Sequence, residues 1–299
     1  MALLTKDARG VYVIAVTPFH ENGAIDFDSL DRVSDFYIEK GVTGFTILGM
    51  MGEAPKLTHE EALAITERVI RRVGDVPVVV GVSAPGLAAI RELTRAVMDK
   101  GAAGVMVAPP MTLRTDQQIL GYYSQVADML DDVPICLQDF PLSTTVQISD
   151  DLLGRIIDAA PQIVMLKHED WPGLAKISAL RAAEAKGRRR ISVLCGNGGI
   201  FLPEEMARGA DGAMTGFGYP EMLVQVCRLA SAGDLDRAQD LFDCYLPLVR
   251  YEQQPGVGLA VRKYVLARRG AIASDAVRKP GATLPPAARK EVDRLIERQ

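Results

Sequence analysis

The strongest constraint on this chain is a pattern that repeats eight times. Short apolar, β-branched runs end in Gly, Pro or polar residues, and a stretch of helical periodicity follows each one. The runs are Val11–Val16, Gly44–Leu48, Val78–Val82, Gly104–Ala108, Ile135–Asp139, Val164–His168, Ser192–Gly196 and Gly212–Thr215. Their starts lie mostly about 26 to 34 residues apart, the length of a βα unit. They are apolar throughout instead of alternating, as strands covered on both faces should be. Eight parallel units within about 210 residues favour a closed barrel over an open sheet. The expected fold is therefore α/β, a (β/α)8 TIM barrel with a C-terminal helical appendage.

Helix-start signals fall where that reading needs them. Thr58-His59-Glu60-Glu61 and Thr115-Asp116-Gln117-Gln118 are capping boxes, in which hydroxyl and N3 side chain each satisfy an end donor. Gly41 and Gly101 sit just past helical stretches, as C-terminal caps do. The barrel is expected over residues 1–235. Residues 236–299 read as three helices separated by Pro255-Gly256 and Pro280-Gly281.

Composition narrows the partners. The chain has 299 residues, a natural size for one such barrel, and its 48% hydrophobic content excludes wholesale disorder. A net charge of −4 argues against nucleic acid, which needs a basic surface. The triple Arg188-Arg189-Arg190 reads as a solvated turn before a strand. Cys136, Cys195, Cys227 and Cys244 form no CxxC pair, so small buried hydrophobes are expected instead of a zinc site or a disulfide framework. The N-terminus lacks the pattern of a signal peptide, and no apolar run reaches the roughly 18 residues of a membrane span. The expectation is a cytoplasmic protein with no metal, no cofactor, and neither nucleic acid nor membrane as partner.

Chemistry in such a barrel belongs at the C-terminal ends of the strands. Of ten lysines, only Lys167 falls within a strand, after Ile163-Val164-Met165-Leu166. Burial there disfavours the charged form of an amine. A neutral amine can attack a ketone and form a Schiff base, whose iminium serves as an electron sink. The structural alternative is a strand-end lysine paired with Glu169 or Asp170. Strand two ends in Gly49-Met50-Met51-Gly52-Glu53. Glycines there let backbone N–H groups approach a ligand closely, and such a nest binds carboxylate; a plain tight turn is the simpler alternative.

These features together are similar to the dihydrodipicolinate synthase / N-acetylneuraminate lyase family. The resemblance rests on Gly49-x-x-Gly52-Glu53, Leu57-Thr58-x-Glu60-Glu61, the strand-six lysine and Val16-Thr17-Pro18-Phe19, and it covers nearly the whole chain. It implies a (β/α)8 barrel assembled as a homo-oligomer, dimer or tetramer. It implies that Lys167 forms a Schiff base with pyruvate or another 2-oxo acid. The loop Gly49, Met50, Met51, Gly52 and Glu53 would hold the carboxylate of that substrate, with Gly196 and Met214 also lining its site.

The departures from the family pattern shape the expected reaction. Met50 and Met51 replace two threonines whose hydroxyls bind carboxylate, so only backbone donors remain. Gln138, in Leu137-Gln138-Asp139-Phe140-Pro141, stands where the family has a general acid/base tyrosine. A Gln amide can orient a hydroxyl or water but cannot transfer a proton at ordinary pH. Ser143 replaces the arginine that binds the aldehyde substrate's carboxylate in dihydrodipicolinate synthases, and Met111 lies near the second relay tyrosine. After strand seven, Gly196-Asn197-Gly198-Gly199 carries none of the acids that bind sugar hydroxyls in the lyase branch. It leaves a roomier pocket, or a phosphate cradle as an alternative. The Gln-Asp-x-Pro variant with Gly212-Ala213-Met214-Thr215-Gly216 is more similar to the dehydratases of 2-keto-3-deoxy sugar acids.

The expected function is thus a lyase acting through Lys167, with Gln138 beside it, by dehydration or aldol cleavage. The alternatives are a non-catalytic 2-oxo acid binding protein and dihydrodipicolinate synthase itself. Asp139, His168, Glu169 and Asp170 are the candidates for moving protons, with Lys167 and Glu169 on one side of the strand and His168 on the other. Met50, Met51, Met111 and Trp171 are expected to line a pocket for any bulkier apolar substrate.

Overall fold

In the computed structural model, which describes residues 2–299, eight parallel strands close into a barrel in sequence order. They are β1 (Gly10–Ile14), β2 (Gly44–Ile47), β3 (Val78–Gly81), β4 (Gly104–Val107), β5 (Ile135–Asp139), β6 (Ile163–His168), β7 (Ser192–Cys195) and β8 (Gly212–Ala213). Closure falls to the shortest strand. Gly212 pairs with Gly10 on one side and Leu194 on the other. Its φ is +151°, and a Cβ there would overlap the Gly10 carbonyl, so only glycine fits this seam.

Alternation sorts each strand into two faces. Outward residues such as Val13, Phe45, Val80, Val105, Leu137 and Val193 join the main core beneath the helices. Inward residues Tyr12, Ile14, Val79, Met106, Cys136, Met165 and Leu194 form a separate plug with Met214. Two residues further along, on the same inner face, stand Gln138, Lys167 and Gly196. The plug therefore builds a floor, and the strand ends above it carry the polar groups.

Both capping boxes form. Thr58 Oγ1 accepts from Glu61 N, Glu61 Oε2 accepts from Thr58 N, and Thr115 and Gln118 make the same exchange. Each such cap is worth about 1 kcal/mol. The C-terminal helices are Leu235–Glu252, Gly258–Arg268 and Pro286–Ile296. The first packs along the preceding helix Pro220–Ser231, and Arg262 of the second forms a buried pair with Glu252 at 2.6 Å.

The arginine triple departs from the solvated turn expected of it. Arg189 donates to the carbonyls of Ile157, Ala160 and Ile163, and Arg190 pairs with Glu184 and Asp211. The run ties the helix Asp150–Ala159 to the lower rim of the barrel through carbonyls at the helix end and at the start of β6. Cys136, Cys195 and Cys227 are buried, whereas Cys244 is exposed. No described helix is long and apolar enough to cross a membrane.

Glu205, on the short helix Leu202–Ala207, is buried behind β7. Burial pushes its carboxyl up to about 8, against a hydrogen bond with Cys195 that lowers it, and its Oε2 has no partner. The folded chain thus keeps a proton that the unfolded chain releases near 4.5. The resulting stabilisation is complete below that value and is lost as pH rises through about 8. Glu205→Gln removes this titration. Its melting temperature relative to the unsubstituted protein should climb between about pH 5 and pH 8. A difference that stays constant across that interval would refute the assignment.

Candidate active site

Strand register places the polar groups side by side. Gln138 on β5 and Lys167 on β6 are directly paired, and Leu194 of β7 lies on the other side of Lys167. The ladder continues past the formal strand ends. Glu169 N donates to Asp139 O at 2.9 Å, and Gly196 N donates to His168 O at 2.8 Å. This extension keeps Glu169 on the inner face with Lys167. Lys167 Nζ lies 3.0 Å from Glu169 Oε2, and Gln138 Nε2 donates to the same oxygen at 2.7 Å. All three residues are buried. Asn197 Nδ2 holds the Glu169 carbonyl at 2.9 Å.

Gly196 has a different use from the one its position suggested. A Cβ at 196 would overlap Glu169 Cγ and crowd its carboxylate. The space the glycine leaves is occupied by Glu169 instead of being open to a ligand. Glu169 was one of four titratable candidates in the sequence, and the structure separates it from the rest. Lys176, on the helix Leu174–Ala185, binds Asp139 at 2.7 Å and Asp170 at 2.6 Å, and donates to the Ile148 carbonyl. His168 faces outward, its ring against Gly173, with Nδ1 unpartnered. Burial, aided by the Lys176 charge, holds its pKa down to about 4. Burial likewise raises Asp139 to about 6, although Lys176 opposes it. Asp139, Asp170 and Lys176 form a charged layer behind the barrel wall, and of the four candidates Glu169 alone is paired with Lys167.

The loop after β2 opens on strained backbone: Leu48 has φ +53°. Met50–Gly52 then make a 3-10 turn. Within it Gly52 N donates to Gly49 O and Glu53 N to Met50 O, while Ala54 N reaches back to Gly49 O. The N–H groups of Met50 and Met51 have no described partner. The Gly49 N–H has none either, so the free donors of the loop are at Gly49–Met51, and those of Gly52 and Glu53 are spent on the turn itself. Thr17 Oγ1 donates to Gly52 O at 2.6 Å and pins the loop to the end of β1.

The Glu53 side chain is already engaged. Its carboxylate receives Lys263 Nζ at 2.6 Å, Lys56 Nζ at 2.7 Å and the Arg278 backbone N–H at 3.0 Å. Lys263 Nζ and the Arg278 guanidinium each lie 4.6 Å from the ring centre of Phe19. Glu53 therefore joins the loop after β2 to the C-terminal segment, and with its carboxylate oxygens taken by these donors it is not placed to bind a substrate carboxylate. Lys263 and Arg278 gave no signal in the sequence, being 210 and 225 residues from Glu53. Lysine burial is also commoner than strand placement suggested. Lys176 and Lys263 are as buried as Lys167, but both meet fixed partners away from the barrel interior.

A cavity of about 450 Å³ opens beside Gln138, lined by Gly49, Met50, Met106, Ser83 and Leu93 among others. Met50 lines it as expected. Met51 packs against the inner plug. Met214 has no exposed surface and belongs to the floor, its sulfur 3.7 Å from Cys136 Sγ, so it offers a substrate nothing but support from below. Met111 is exposed on the loop after β4, and Trp171 stacks edge-on against Phe201 at 5.7 Å over a separate depression. Neither lines the cavity.

The model of the dihydrodipicolinate synthetase family matches residues 7–299 of this chain. The L-2-keto-3-deoxyarabonate dehydratase of Azospirillum brasilense is 31% identical over 300 residues, covering 98% of this chain and 95% of that protein. The 4-hydroxy-tetrahydrodipicolinate synthase of Sorangium cellulosum is 32% identical, covering 97% and 95%. Among solved structures, the dihydrodipicolinate synthase from Rhodopseudomonas palustris is 54% identical, with a TM-score of 0.98 over 100% of both chains.

The Glu53–Lys263 pair yields a stability test. Removing Lys263 takes the more buried of two ammonium partners from Glu53 and leaves Lys56 and the Arg278 N–H, so the cost falls below that of a fully uncompensated charge, to about 2 kcal/mol. Urea unfolding of Lys263→Met should show a loss of that order. A loss under about 1 kcal/mol would mean that the pair does not anchor the loop.

Proposed function

Since this chain belongs to the dihydrodipicolinate synthetase family, we propose that it is a lyase whose Lys167 forms a Schiff base with a 2-keto-3-deoxy acid. Dehydration or aldol cleavage follows, with Glu169 moving the protons. The observation that carries this reading is the Lys167–Glu169–Gln138 cluster: one carboxylate oxygen within 3.0 Å of the amine and 2.7 Å of the amide.

The chemistry follows from that spacing. Glu169 Oε2 takes a proton from the Lys167 ammonium, and the freed amine attacks the substrate ketone at C2. The protonated Glu169 returns its proton to the carbinolamine hydroxyl, which leaves as water. The resulting iminium draws electrons from C3. For dehydration, Glu169 takes a C3 proton and passes it to the C4 hydroxyl, which departs as water as the C3–C4 double bond forms. For cleavage, Glu169 takes the C4 hydroxyl proton, the C3–C4 bond breaks, and its electron pair enters the enamine. Gln138 keeps the carboxylate turned toward the amine, and the Met50 and Met51 N–H groups supply the donors for the substrate carboxylate.

Dihydrodipicolinate synthesis is the less favoured reading. Ser143 Oγ sits 3.2 Å from Met50 Sδ, where a second carboxylate would require a cation. A binding protein without turnover is disfavoured too, because two opposite charges and an amide converge on one buried point. Such convergence is costly to keep without a use.

Borohydride trapping tests the covalent step. Incubation with pyruvate, reduction and mass measurement should give one adduct, absent in Lys167→Ala; an unmodified mass would sink the proposal. Glu169→Gln should lower kcat by about 100-fold or more on any substrate that the unsubstituted protein turns over. Gly196→Ala, which leaves every titratable group in place but displaces Glu169, should lose activity in the same direction while still unfolding cooperatively. Full activity in either variant would remove Glu169 from the reaction.

A further inference from the structure

The cavity beside Gln138 bears on what the substrate carries beyond its reacting carbons. It runs outward from Gln138 and Met106 in the barrel mouth, between the loops after β2 and β3, to Leu93 and Ala62 on the following helices. No Lys, Arg, Asp or Glu lines it, and its one ionisable side chain is His59, an exposed residue at the start of the helix after the β2 loop. Its polar groups are few and partly spent. Ser83 Oγ already accepts from Ala108 N at 2.8 Å, Thr58 is occupied by its helix cap, and the Gln138 amide donor is committed to Glu169. The basic side chains on the adjoining loops are also engaged. Lys56 is held by Glu53 and the Arg278 carbonyl, Arg278 by Glu61, and Arg114 by the carbonyls of Met111 and Leu113.

We infer that this cavity receives the tail of the substrate beyond C4, and that the tail is uncharged and apolar, an alkyl or aryl group. This inference rests on the Schiff-base reading of Lys167 and specifies its substrate class: 4-hydroxy-2-oxo acids with an apolar substituent on C4. A carboxylate in this cavity would lose its hydration with no lysine or arginine to replace it, His59 being confined to the exposed helix start. A polyhydroxylated tail would strip water from several hydroxyls and find few partners. An alkyl or aryl tail loses nothing and covers Met50, Leu57, Leu93 and Met106. Cleavage of such a substrate yields pyruvate and an apolar aldehyde. Dehydration yields a conjugated 2-oxo-3-enoic acid and water. Neither route needs a further reactant.

The test is a panel of 4-hydroxy-2-oxo acids of matched length bearing an alkyl, a phenyl, a terminal-carboxylate or a polyhydroxylated tail. Pyruvate release and conjugated-enone absorbance are followed together, with pyruvate–borohydride trapping run in parallel. The alkyl and phenyl compounds should exceed the other two in kcat/KM by about tenfold or more. A carboxylate or polyhydroxylated compound that equals or beats them overturns the inference, even while pyruvate still traps on Lys167. If pyruvate fails to trap, the Schiff-base reading falls and takes the inference with it. Met50→Arg puts a cation on the cavity wall and should shift the preference toward the carboxylate tail by about tenfold. An unchanged preference in that variant would show that the tail lies elsewhere.

Discussion

An amine on the inner face of a barrel strand cannot reach bulk water, so its charge must be answered within the barrel. Here the answer comes from two residues along the same strand. Glu169 shares the inner face with Lys167 because alternation puts residues 167 and 169 on one side. The ladder bonds from Glu169 N and Gly196 N carry that alternation past the formal end of the strand. The carboxylate then needs volume, which the missing side chain at Gly196 provides, and orientation, which the Gln138 amide provides. Three neighbouring strands thus each contribute one feature to a single point. Substituting any one of them alters what the other two can do.

A second layer of charge lies behind this one. Asp139, Asp170 and Lys176 sit between the barrel wall and a helix, one residue out of phase with the reactive group. The odd offsets of Asp139 from Gln138 and of Asp170 from Lys167 put the two sets of ionisable residues on opposite faces of the barrel wall. The outer set fixes the helix Leu174–Ala185 against β5 and β6, and so steadies the strand ends that carry the inner set.

Much of this was legible in the sequence, for a physical reason. Strands covered on both faces must be apolar throughout, which makes eight of them stand out, and a lysine breaking such a run is conspicuous. Alternation even put Glu169 on the correct side of Lys167. What could not be read was which acid stays free, since that depends on Lys176 reaching across from a helix to claim two of them. Gly196 was read as room for a ligand because a sequence does not say which neighbour fills the space. Met214 was read as lining for the same reason, when its place in the inner plug depends on how deep β8 sits. The tie between Glu53 and Lys263 joins opposite ends of the chain, and no local pattern announces a contact of that span.

That tie has a consequence for the order in which the protein becomes complete as it leaves the ribosome. The loop after β2 is synthesised 210 residues before Lys263 and 225 before the Arg278 backbone that hold it. A nascent barrel with all eight strands formed still has Glu53 without its principal counterion. The loop gains its final geometry only when the C-terminal helices dock. Anchoring of the loop therefore waits on residues 263–278, which follow every strand of the barrel.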